Sequence, residues 1–265
     1  MASLITNGLA QEVERINAAI RAEPLAASHR LALAQLRLVQ GEYARALQQL
    51  QLACQFDADL APEAQLIRML VRAEQTREAV FGGKILPDLL TPPPAWLESM
   101  IAALREEDGG KAAELRQAAL SGAPPSRGCH GETAFEWIAD GDERLGPVIE
   151  IVLGGVYYWI PFDMVESLEI PVPKKAMELV WAPVDLKLSG HPARVAYMPS
   201  RYIPMPDERS DALLVGAETC WKELPGGVWR GCGRRAWIVD GELLSMLEAG
   251  RMSFERENPL KASGE

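Results

Sequence analysis

The sequence predicts an α+β protein of two domains: a helical array at the N-terminus, then a mostly antiparallel sheet with short helices. Three observations point there. Of the seven tryptophans only Trp96 precedes Pro125, and that first half is rich in Ala, Leu, Gln, Glu and Arg, which favour helices. After Pro125, short runs of Val, Ile, Trp and Tyr recur between turn residues, as strands do. The helical half also repeats itself at a fixed interval.

The repeat is clearest in LVQGEYARALQQLQLACQFDA, residues 38 to 58, where Gly41, Tyr43, Ala46, Leu47, Leu50, Ala53 and Cys54 mark a helix-turn-helix unit. A shift of 34 residues backward puts Val13 on Leu47, Ile16 on Leu50, Ala19 on Ala53 and Ile20 on Cys54. The same shift forward puts Gln75 on Gly41, Arg77 on Tyr43, Val80 on Ala46 and Phe81 on Leu47. This period marks a tetratricopeptide-like array. Ala34, Ala46 and Ala53 let antiparallel helices approach closely, Gly41 suits the turn and Tyr43 fills the wedge above it. The competing reading is a plain helical bundle, because the flanking repeats are degenerate: Arg68 stands where Ala34 does.

In stacked hairpins the first helix of each pair lines a concave groove that can receive a peptide or helix. The register turns Ser28, Leu31, Gln35, Leu38 and Val39 toward it, with Gln65, Met69 and Arg72 from the next pair. Of these, Leu31, Gln35, Leu38, Met69 and Arg72 are the candidate partner-binding residues. Next, TPPPAWLESMIAALREEDGGKAAELRQAAL predicts two further helices that cap the array, broken at Gly109-Gly110. The array spans residues 1–122, and SGAPPSRGCHG supplies a linker at 123–131.

The second domain, 132–256, contains AFEWIA, VIEIVL, VYYWI, MVESLEI, ELVWAPVDLKL, ARVAYM, GVWRG and RRAWIV. Gly154-Gly155 and Ser189-Gly190 are hairpin signals, and PKKAMELV and ELLSMLEAG are short helix candidates. The tail 257–265 is expected to be flexible.

Composition excludes several classes. At 48% hydrophobic and 24% charged, the 265 residues are ordinary for a globular protein. The net charge of -10 and the lack of a basic cluster argue against gripping a nucleic-acid backbone. No apolar window reaches the roughly 18 residues of a membrane span, and MASLITNGLAQEVER is no cationic leader, so the expected location is the cytoplasm. Cys54, Cys129, Cys220 and Cys232 are too scattered for a disulfide framework or a zinc site.

Catalytic motifs are scarce. Cys129 and His130 are neighbours in an extended stretch and point apart, and His191 sits in a turn. With His29, these are the only histidines. There is no G-x-S-x-G, phosphate loop or dinucleotide fingerprint, and the glycines of GGVWRGCG bend strands. The conspicuous stretch is FEWIADGDERLGP, residues 135 to 147, an apolar run ending in three acids and an arginine. A calcium loop fails, because Arg144 takes a ligand place and Leu145 the glycine place. Two readings stay open. Asp140 and Asp142 could hold magnesium for phosphoryl or glycosyl transfer, or the acids could fix a turn through backbone bonds while Arg144 forms a local ion pair.

FEWIADGDERLGPVIEIVLGGVYYWIPFDMV, with ELVWAPVDL, the later PSRY and REAVF at 77–81, resembles the ImpE/TagJ family of type VI secretion accessory proteins over nearly the whole chain. The resemblance implies a non-enzymatic adaptor without cofactor or metal. Its implied partners are the small subunit of the contractile sheath and the AAA+ ATPase that disassembles the contracted sheath, with no nucleic acid or membrane. Trp137, Asp140, Asp142, Arg144, Gly146 and Pro147 are then a structural signature. The alternatives are the metal-dependent transferase and a repeat-containing regulatory protein.

Overall fold

The computed structural model describes residues 8–207 and 209–255. The expected tail at 257–265 lies outside them. Among the described residues six α-helices come first: α1 Leu9–Ala22, α2 Ala27–Val39, α3 Tyr43–Phe56, α4 Ala61–Phe81, α5 Ala95–Ala103 and α6 Gly109–Gly122. Helix α3 begins and ends 34 residues after α1, and α4 begins 34 residues after α2. The period in the sequence is therefore a period of helices. Ala34, Ala46 and Ala53 are fully buried where α2, α3 and α4 meet, so backbones approach closely there. Gly109 and Gly110 do not break a helix as expected. They open α6, because the Asp108 side chain caps it by accepting from Gly110 N (2.9 Å) and Lys111 N (3.1 Å).

The remaining chain forms β1 Gly128–His130, β2 Thr133–Phe135, β3 Ile138–Asp140, β4 Val148–Leu153, β5 Val156–Pro161, β6 Val165–Glu169, β7 Trp181–Leu188 and β8 Arg194–Pro199. A short helix, α7 Asp211–Leu214, precedes β9 Thr219–Leu224, β10 Val228–Gly233, β11 Ala236–Val239, β12 Glu242–Ser245 and β13 Arg251–Phe254. Eight strands form one antiparallel sheet in the order β2-β1-β13-β6-β7-β8-β4-β5. A three-stranded sheet β12-β11-β3 and the hairpin β9-β10 lie beside it.

Three local expectations differ from the structure. Residues 128–130 of the expected linker are a strand, because β1 pairs with β13 and β2. ELLS is strand β12 rather than helix: Asp240 and Gly241, both at positive φ, turn the chain back so that Val239 pairs with Glu242. PKKAMELV keeps only one 3-10 turn, Ala176–Leu179.

The large sheet is covered on both faces. Period-2 alternation along β4 sends Val148, Glu150 and Val152 toward the helices and Ile149 and Ile151 the other way. The helix-facing core combines Leu36, Ile67 and Leu70 with Val148, Val152, Trp159 and Trp181, so both halves of the chain share it. The opposite core, with Ile149, Ile151, Phe162, Val184 and Trp237, lies under the three-stranded sheet. Trp159, Trp181 and Trp237 are fully buried, each contributing roughly 4–6 kcal/mol of transfer free energy.

Candidate functional site

The acidic turn follows β3 directly. Asp140 N donates to Gly146 O at 2.7 Å and Gly141 N to Ala236 O at 3.0 Å, which fixes both ends of the turn. Inside it, Asp140 Oδ1 accepts from Asp142 N (2.8 Å) and Asp142 Oδ1 from Arg144 N (3.1 Å), the short-range Asp-to-backbone bonds that stabilise such turns. Arg144 grips Asp142 with two prongs, Nε to Oδ1 at 2.8 Å and Nη2 to Oδ2 at 2.6 Å. Gly146 has φ +57°, and a Cβ there would lie 2.7 Å from Leu120 Cδ2, so a side chain is excluded on both counts. Pro147 is buried, while the Trp137 ring stays 39% exposed.

The turn is the edge of a larger construction. Arg235, just before β11, donates to Asp140 Oδ2 (3.0 Å) and also to Glu150 Oε2. Glu150 accepts in addition from the Tyr157 hydroxyl and from Arg77 of α4, Nε to Oε1 at 2.6 Å and Nη2 to Oε2 at 3.2 Å. Arg77 also reaches Glu74 Oε1 at 2.9 Å, and Glu74 Oε2 accepts from Trp181 Nε1 at 2.9 Å. Trp159 Nε1 donates to Tyr157 OH at 2.7 Å, and Tyr202 OH donates to Asp140 Oδ1 at 3.0 Å. Arg201 donates to the carbonyls of Val39 (2.6 Å), Leu38 (3.3 Å) and Leu214. The Arg144 guanidinium stacks on the Phe81 ring 4.6 Å from its centroid, and Phe81 meets Trp159 at 5.9 Å.

Four carboxylates, Glu74, Asp140, Asp142 and Glu150, thus face four guanidinium groups, Arg77, Arg144, Arg201 and Arg235, in a charge-balanced seam between helices and sheet. Only Arg144 retains appreciable exposure. Burial pushes the Asp140 carboxyl up to about 6 against the pull of Arg235, and pushes the Arg235 guanidinium down to about 10. Burial likewise raises the Tyr202 hydroxyl well above its ordinary value.

This geometry bears on the metal reading. Both oxygens of Asp140 and of Asp142 already accept from Arg235, Tyr202, Arg144 or backbone N–H, Gly231 N to Asp142 Oδ2 at 3.2 Å included. A cation would have to displace a buried arginine. Among the described residues no three His, Cys, Asp or Glu side chains gather around a common metal position.

The expected groove is occupied by the chain itself. Leu38 does not face it as expected: the residue is fully buried, and its carbonyl is tied to Arg201. Leu31 and Gln35 are half-buried, with Gln35 Nε2 donating to Glu63 Oε1 at 3.3 Å. Lys175, next to the Ala176–Leu179 turn, pairs with the same oxygen at 2.9 Å. Met69 packs against Gly155, and Tyr43 lies on Trp181 with ring centroids 6.1 Å apart. Arg72 is exposed.

Sequence reasoning named one side of the seam and missed Glu74, Glu150, Arg201 and Arg235 as its partners. One signal was available: Glu150 is the lone charge inside the apolar run VIEIVL. The stretches REAVF, WIADGDERLGP, YYWIPF, ELVWAP and PSRY are the ones whose side chains meet here, through Arg77 and Phe81, Asp140 to Arg144, Tyr157 and Trp159, Trp181, and Arg201 and Tyr202.

The family model described as ImpE protein matches residues 132–253. The type VI secretion system accessory component TagJ of Pseudomonas aeruginosa is 34% identical over 241 residues, which is 89% of this chain and 84% of that protein. The crystal structure of a Vibrio parahaemolyticus protein superposes with a TM-score of 0.87 at 27% identity, covering 98% of each chain. Among the described residues, no helix is long and apolar enough to cross a membrane. The chain belongs to the ImpE/TagJ family, the accessory components of type VI secretion systems.

Proposed function

We propose that the protein is a non-catalytic adaptor that binds the small sheath subunit, the AAA+ ATPase that disassembles the contracted sheath, or both, in the bacterial cytoplasm. The observation that carries this reading is the saturated seam. Its four carboxylates, Glu74, Asp140, Asp142 and Glu150, already accept from arginine, tyrosine, tryptophan or backbone donors. None of the four is therefore left as a general base or metal ligand, and a general acid-base site needs such a group in reach of substrate. Function then falls to the outer surfaces. On the helical side the contact residues in this reading are Leu31, Gln35, Met69 and Arg72, of which Arg72 is exposed and the other three are half-buried, with Leu38 acting only from within the core.

The test is co-purification of the full chain with the purified sheath subunit and, separately, with the ATPase. Binding to at least one is expected, and loss of that binding in a folded Leu31→Glu, Arg72→Glu double variant. Binding to neither would overturn the adaptor reading. Undiminished binding by the double variant would move the contact off the helical side.

A further inference from the structure

We propose that the groove between the hairpin β9-β10 and the three-stranded sheet is a docking site for an extended, basic segment of a partner protein. Its walls are Trp221 and Trp229, its floor is Ile238 and Leu243, and Gly141 and Glu143 of the acidic turn close one end. Trp229 is 45% exposed and Leu243 56%, whereas the three core tryptophans are sealed.

The groove is preformed. A Cβ on Gly141 would lie 2.3 Å from Trp221 Cη2, so the bare backbone of the turn is what seats that ring. Glu143 clamps Trp229 in both directions, its N–H donating to Trp229 O at 3.0 Å and its Oε2 accepting from Trp229 N at 2.7 Å. Rigid aromatic walls lose little entropy on binding, which is why Trp anchors interfaces.

Charge selects the occupant. Glu143 lines the groove, and Glu223 is the cross-strand neighbour of Trp229 and two residues from Trp221, so it shares their face. Lys222 and Arg230, paired across the hairpin, fall on its other face by alternation. Lys222 meets Asp207 there at 3.3 Å. An arginine or lysine entering the groove would meet indole faces and carboxylates together, the chemistry that favours a cation over an aromatic ring. The backbone argues for an extended partner. Strand β12 is the outer strand of its sheet, and Leu243 stands opposite Ile238 as a non-hydrogen-bonded pair next to the two-residue turn. Its N–H and C=O therefore point to the open edge, where an added strand would pair. The site does not depend on which secretion component, if any, is bound on the helical side.

The test follows indole N–H signals of the full chain by NMR during titration with a short acetylated, amidated peptide of alternating leucine and arginine. The same peptide with glutamate for arginine is the control. Saturable shifts of Trp221 and Trp229 are expected with the arginine peptide alone, while Trp159, Trp181 and Trp237 stay still and report an intact fold. Trp229→Ala and Glu223→Lys should each weaken binding by about tenfold or more. No shift, equal shifts with the glutamate peptide, or undiminished binding by both variants would overturn the proposal.

Discussion

Glu150 and Ile151 are adjacent on β4, both are fully buried, and they face opposite cores. Ile151 belongs to the apolar core beneath the three-stranded sheet. Glu150 meets Arg77, Arg235 and Tyr157 in the seam against the helices. Buried ions give little net stability over apolar residues of the same volume. What they add is direction. Hydrophobic contact tolerates sliding, whereas a two-pronged arginine bond is met in one relative position of helix and sheet. The seam therefore holds α4 in register with β4 in a way the apolar core cannot.

Removing the hub should have the largest effect. Glu150→Ala leaves Arg77 and Arg235 buried without their shared carboxylate, and a stability loss of about 3–5 kcal/mol is expected by urea unfolding. Ile151→Val, one residue away on the other face, removes a methylene and should cost about 1 kcal/mol. Equal losses would mean that the two faces do not differ in kind.

The apolar side of this comparison was legible in the sequence and the ionic side was not. Helices α1 to α4 follow from a 34-residue period, and Gly154-Gly155 announced the β4-β5 hairpin, because both signals are local. The Asp240-Gly241 turn was missed because Leu243, Leu244 and Leu247 mimic helical spacing. The seam joins residues 73 positions apart at Arg77 and Glu150 and 95 apart at Arg235 and Asp140, and periodicity says nothing about which buried charges meet at such separations. For the same reason the register that turned Leu38 toward a groove could not reveal that Arg201 lies against it.

A smaller effect separates the faces by pH. Asp140 keeps its proton to about 6 in the folded protein, chiefly through burial, and so holds it more tightly than the unfolded chain does. Its contribution is complete below the ordinary carboxylate range and is lost as pH rises through about 6. Asn at this position cannot titrate. The stability deficit of Asp140→Asn relative to the natural protein should therefore shrink by about 1 kcal/mol from about pH 5 to about pH 7. The deficit of Ile151→Val should not change over that range. A deficit of Asp140→Asn that stayed constant with rising pH would show an aspartate that ionises as readily as an exposed one, and a deficit that widened would show a carboxyl held below its ordinary range.

The smallest effect lies at an exposed ion pair outside the seam, near the first turn of α4. Lys175 and Glu63 also bridge sheet and helices at 2.9 Å, but the lysine side chain is 51% exposed. An exposed pair gains little in water, costs side-chain entropy and is screened by salt over about 10 Å at moderate ionic strength. Lys175→Ala should change stability by less than about 0.5 kcal/mol, and added salt should erase even that. The loss from Glu150→Ala should persist in salt, because no ions reach the seam. If Lys175→Ala instead cost as much as Glu150→Ala, helix and sheet would be held by their solvated rim. The buried arginines would then be passengers of a docking that the surface had already fixed.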